Sequence, residues 1–203
     1  MKRIVLDCET QKMWNEINDQ TKTWDLKLST AVTYCYDNDE YKFWTYMQQN
    51  DLLDYLNGNL VIGYNSIKFD CPLILGEGCK LDENGNCTNG KYTWSNFDIL
   101  IEIYKRLYSC KDKPISKTFE AMKKNFSPAN RGVYKLNSIA IATLGHGKTT
   151  KSGDEAVELF KTKKIIELLQ NNLNDCRVTK QVYDFIRKFG YVLNGNFDVI
   201  KLK

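Results

Sequence analysis

The spacing of hydrophobic and polar positions along this chain of 203 residues changes several times, and each change predicts a new element. Ile4–Leu6 is an apolar run that breaks into Asp7 and Glu9, two acids one residue apart, and a strand over residues 4–9 is expected. STAVTYCYD (29–37) and YKFWTYM (41–47) are rich in β-branched and aromatic residues around DNDE, the pattern of a hairpin antiparallel to the first strand. NDLLDYLNG (50–58) has a short helical period ending at Gly58. NLVIGYN (59–65) is apolar along its length, as in a strand covered on both faces.

FDCPLILGEG begins another helix. The two Asn-Gly pairs that follow mark a turn-rich excursion over about 77–97. Helical periods then dominate: ILIEIYKRLY behind a capping Asp98, KLNSIAIATL before Gly145, DEAVELFKTKK, and a long helix from IIELL to Gly190. YVLNGNFDVIKLK folds back as a hairpin over about 191–203. A β-meander followed by alternating helix and strand predicts one α/β domain over 1–203, with a mixed sheet.

The composition is that of an ordinary globular chain, with 42% hydrophobic and 27% charged residues, so neither a disordered nor a fibrous protein is expected. A net charge of +4 is compatible with a polyanionic partner without requiring one. Seven cysteines, with no close pair, argue against a disulfide framework or a zinc site and favour free thiols in a reducing compartment. No signal peptide precedes the first strand, and no apolar run approaches the ~20 residues of a membrane span. A soluble, intracellular, cytoplasmic protein with no membrane partner is expected.

The candidate chemistry lies in the acids. Alternate residues of a strand share a face, so Asp7 and Glu9 project together; two bare carboxylates that close repel, which suits either a divalent metal between them or an edge strand whose end is simply solvated. Asp70 stands where a buried strand crosses into a helix, open to a functional role or to capping that helix. Asp175 is more telling. Leu168 lies seven residues before it, Val178 three after and Val182 seven after, which sets a carboxylate in the apolar stripe of a long helix. Arg177 and Lys180 are poorly spaced to neutralise it there. Asp7, Glu9, Asp70 and Asp175 are together the pieces of a two-metal phosphodiester site.

The segments LDCET, GYNSIKFD and NDCRVTKQVYDF, in that order, resemble the three motifs of the DEDD 3′–5′ exonuclease superfamily. The third is nearest to standalone relatives of the polymerase B type proofreading domain. The resemblance implies a ribonuclease H-like three-layer fold. It implies two Mg²⁺ or Mn²⁺ ions held by Asp7, Glu9, Asp70 and Asp175, and hydrolysis of a nucleic acid from its free 3′ end, preferably single-stranded, to nucleoside 5′-monophosphates. It further implies that Thr10 steadies the terminal nucleotide, and that Asn65 and Phe69 support the substrate pocket, although Phe69 also suits plain core packing. Lys148 in LGHGK either meets a phosphate or is merely solvated.

The chain departs from that family at one position. Members carry a tyrosine four residues before the last aspartate or a histidine about five before; here these are Asn171 and Gln170. Asn171 shares a helix face with Asp175 and can orient a water but not deprotonate it. His146, the sole histidine, lies in the same glycine-flanked loop as Lys148, either as a base that swings in or as a solvated side chain. The alternative function is a 3′-end-binding protein of this fold with weakened or lost catalysis.

Overall fold

Eight residues alternating between two packed faces build the first strand, β1 (Arg3–Thr10), and everything else is arranged around it. The computed structural model describes residues 1–83, 85–125, 132–148 and 153–202. β2 (Leu28–Cys35) runs antiparallel to β1, and β3 (Glu40–Thr45) runs antiparallel to β2. After α1 (Gln49–Leu56), β4 (Leu60–Gly63) pairs parallel to β1 on its other side. α2 (Asp70–Leu75) follows, then two short strands, β5 (Lys80–Leu81) and β6 (Cys87–Thr88). β7 (Thr93–Asp98) pairs parallel to β4, giving a mixed seven-stranded sheet in the order β3-β2-β1-β4-β7-β6-β5.

Among the described residues, the rest of the chain is mostly helical. It comprises α3 (Ile99–Leu107), α4 (Ile115–Asn125), α5 (Leu136–Leu144), α6 (Gly153–Lys161) and α7 (Ile165–Phe189), and closes with the hairpin of β8 (Tyr191–Leu193) and β9 (Val199–Lys201). Ile4, Leu6 and Cys8 of β1 pack with α1 and α2 on one face of the sheet. Val5 packs with α3, α5 and α7 on the other. Helices therefore cover both faces of a mixed sheet, a three-layer α/β fold consistent with the ribonuclease H-like architecture. Because side chains alternate, Asp7 and Glu9 share the face of Val5 and turn toward α7. No helix among the described residues is long and apolar enough to cross a membrane.

One expectation is corrected. The excursion assigned to 77–97 contains β7, a central strand of the sheet, and only its first part is turn and short hairpin. TWSNFD escaped notice because its inward positions are not uniformly apolar. Trp94 and Asp98 are buried, while Asn96 donates its amide to the sulfurs of Cys71 at 2.8 Å and Cys87 at 3.0 Å. All seven cysteines are free.

Asp98 does more than cap α3. Its carboxylate, 2% exposed, accepts from Leu100 N and Ile101 N at the helix start and from Asn65 N at 2.9 Å and Ile67 N at 3.0 Å across the loop after β4. Burial pushes its pKa up to about 6, although the four backbone donors pull the other way. One buried charge thus fixes both the helix and a loop in which Asn65 sits at φ +62°, a left-handed conformation that non-glycine residues seldom adopt.

Candidate metal centre

β1 and α7 face each other across the carboxyl end of the central strands, and their acids converge there. One carboxylate oxygen each from Asp7, Glu9 and Asp175 lies within 4.8 Å of the others. The three line a cavity of about 260 Å³ together with Asp70, Phe69, Tyr64, Asn171 and Lys148. Asp70 enters from the first turn of α2. It lies outside the close trio and accepts hydrogen bonds from the thiol and backbone of Cys8.

A residue distant in the chain supplies a cation to Asp175. The Lys148 ammonium pairs with the Asp175 carboxylate. On its amino-terminal side Lys148 is anchored by its own N–H, which donates to Asn137 Oδ1 at 2.8 Å. Gly147 is packed so closely that a Cβ there would stand 2.2 Å from the same oxygen. Lys180, which sequence spacing had set aside, pairs instead with Asp184 at 2.8 Å.

Of the other residues singled out by sequence, Asn171 and Phe69 line the acid cavity, and Asn65 lines the neighbouring one. Thr10 is buried at the end of β1, its hydroxyl donating to Lys12 O at 2.9 Å. His146 is exposed in its loop.

Sequence reading missed Asn172 and Tyr64. Asn172 is fully buried, and its Nδ2 donates to Asp7 Oδ2 at 2.6 Å. The signal was its i−3 spacing from Asp175, which puts both on one helix face. Its Oδ1 is buried and has no hydrogen-bond partner among the described residues.

The electrostatics are those of an acid site short of positive charge. Burial, then Asp175, pushes Asp7 well above the usual carboxylate range, with Lys148 opposing. The same causes raise Glu9 to about 8. Burial raises Asp70 to about 7 against the hydrogen bonds from Cys8. Burial alone would lower the Lys148 ammonium, but Asp7 and Asp175 outweigh it and the net shift is upward. All-oxygen donors and raised carboxylates fit a hard divalent cation such as Mg²⁺ or Mn²⁺.

A pH dependence follows. Glu9 titrates near 4.5 when unfolded and about 8 when folded. The metal-free fold therefore keeps this contribution below about pH 4.5 and loses it as pH rises through about 8. In chelator, the melting temperature is expected to fall between about pH 5 and about pH 8, and Mn²⁺ is expected to flatten that slope. A melting temperature that rises over this range in chelator would contradict the assignment.

No protein-family profile matches the sequence, and no curated protein matches it. Among solved structures, the chain is similar to a family B DNA polymerase from the hyperthermophilic archaeon Pyrobaculum calidifontis, with a TM-score of 0.55 and 14% identity. The match covers 93% of this chain and 25% of the polymerase, so the chain spans about a quarter of that protein's length. At this identity the likeness is one of fold.

Proposed function

We propose that the protein is a divalent-metal-dependent 3′–5′ exonuclease that releases nucleoside 5′-monophosphates from a nucleic acid strand. The observation that carries the reading is the convergence of Asp7, Glu9 and Asp175 within 4.8 Å at one cavity, with Asp70 on its wall. Four acids facing a polyanion have little use unless cations stand between them. A fold shared with a DNA polymerase is in keeping with action on nucleic acid.

Asp7, Glu9 and Asp175 would hold one Mg²⁺ or Mn²⁺, and Asp70 would help to hold a second. When bound, the ions supply a lowered pKa for an attacking water and neutralise charge on the phosphoryl oxygens. Asn172 holds the Asp7 carboxylate in orientation through its amide hydrogen bond. Lys148, which pairs with Asp175 across the cavity, would offer its ammonium to the phosphate with the carboxylates holding metal. Phe69 gives the terminal nucleotide an apolar wall, and Thr10, at the end of β1, steadies that nucleotide. Asn171, on the cavity wall, hydrogen-bonds the attacking water but takes no proton from it.

End-labelled single-stranded DNA and RNA with Mg²⁺, Mn²⁺ or excess chelator test the proposal. Stepwise shortening from the 3′ end that stops in chelator is expected; chelator-resistant cleavage, or cuts in a circle, would refute it. Asn171→Ala is expected to slow single-turnover cleavage by roughly tenfold, the worth of about one orienting hydrogen bond. The amide at 171 also favours a second reading, a 3′-end-binding protein with little catalysis. That reading requires negligible native cleavage, metal-dependent affinity for 3′ ends, and a gain of activity in Asn171→Tyr.

A further inference from the structure

Among the described residues that line the acid cavity, Lys148 is the one cation, set against the carboxylates of Asp7, Glu9, Asp70 and Asp175. Its ammonium pairs with Asp175, and the two side chains are 26% and 8% exposed. The charge also reaches the other acids. It opposes the upward shifts that burial and Asp175 impose on Asp7 and Glu9, and the acids in turn keep it ionised against burial.

The position is built into the fold. Lys148 N donates to Asn137 Oδ1 on α5 at 2.8 Å, and Gly147 leaves no room for a side chain beside that oxygen. A second cavity, of about 510 Å³, adjoins the first, and Tyr64 and Lys148 line both. Among the described residues of the second lining there is no carboxylate, while Lys68 and Lys135 add positive charge. Repulsion from that side and attraction from the other both favour the ammonium on the acid cluster.

Resting on the metal-site reading above, we infer that Lys148 is a resident counter-ion that competes with divalent metal for the Asp7–Glu9–Asp175 cluster. In the metal-free protein it offsets part of the repulsion among the buried acids, so the chain stays folded without metal. The same pairing lowers the affinity of the cluster for a cation, because Asp175 is already engaged. The site therefore fills at a higher metal concentration than its acids alone would set.

The test is Lys148→Met, followed by melting curves and by Mn²⁺ binding, with free Mn²⁺ read by electron paramagnetic resonance. In chelator the variant is expected to melt about 3 °C or more below the native protein, and it is expected to bind Mn²⁺ about tenfold more tightly. The melting deficit should close at saturating Mn²⁺, where the native protein no longer gains from the pair. A lysine with a merely structural role would leave the same deficit with and without Mn²⁺, and one that helps to hold metal would widen it. Either result overturns the counter-ion, as does Mn²⁺ affinity that is unchanged or weaker. Lys117→Met removes an exposed lysine paired with Glu120 at 2.9 Å and controls for net charge. It is expected to leave Mn²⁺ affinity as it is, and an equal gain there also overturns the assignment. If Lys148→Met does not fold in chelator, Lys148→Gln replaces it in both measurements. If Mn²⁺ neither binds nor stabilises the native protein, the metal reading fails separately. Melting in chelator then decides, and a variant as stable as the native protein overturns the counter-ion.

Discussion

Asp7→Asn and Asp175→Asn are each expected to lower 3′–5′ cleavage by roughly a thousandfold or more, while the protein stays folded. Each change removes an ionised oxygen from the cluster that would hold the metal, and the water and phosphate then lose their activation together. Stability moves the other way. In Asp7→Asn the amide still accepts from Asn172 Nδ2, so the hydrogen bond at 2.6 Å in the native chain is kept while a crowded negative charge is removed. The melting temperature in chelator at about pH 8 should rise, and the stabilisation that Mn²⁺ gives the native protein should shrink. Single-turnover rates beside melting curves with and without Mn²⁺ check both halves. A variant that cleaves at the native rate would remove these acids from the mechanism.

Asp98→Ala is expected to have the largest effect on stability, about 3–5 kcal/mol, because it leaves four backbone N–H groups without their acceptor. Two of these start α3, and two hold the loop that carries Asn65 and leads into Asp70. Urea denaturation should show a much lower midpoint with an unchanged slope if the variant still folds in two-state fashion. Cleavage at saturating metal should also fall, since the loop sets both the entry to α2 and the wall of the second cavity. A loss below about 1 kcal/mol would mean that water or another group replaces the carboxylate.

The parts of this fold that the sequence displayed are those governed by neighbours in the chain. The alternation in β1, the hairpin of β2 and β3, and the stripe from Leu168 to Val182 on α7 are local periodicities, and they placed Asp7, Glu9 and Asp175 on faces that meet. The resemblance to the exonuclease motifs added Asn65, Phe69 and Lys148, which the structure sets around two adjoining cavities. What escaped depends on distant partners. β7 is a strand because β4 lies beside it, and its sequence reads as loop. Asn172 looks like one more polar residue until Asp7 is known to lie opposite. Lys148 pairs with Asp175 across 27 residues, a contact that no helical spacing announces.

The bond from Asn172 to Asp7 joins residues 165 apart in the chain, and this has a bearing on how the protein comes into being. Synthesis proceeds from the amino end, so Asp7 and Glu9 are made well before the helix that brings Asn172 and Asp175 opposite them. Closing so long a loop is among the slow steps of folding. A chain made only as far as α6 holds two acids on a strand, without the third that completes the cluster.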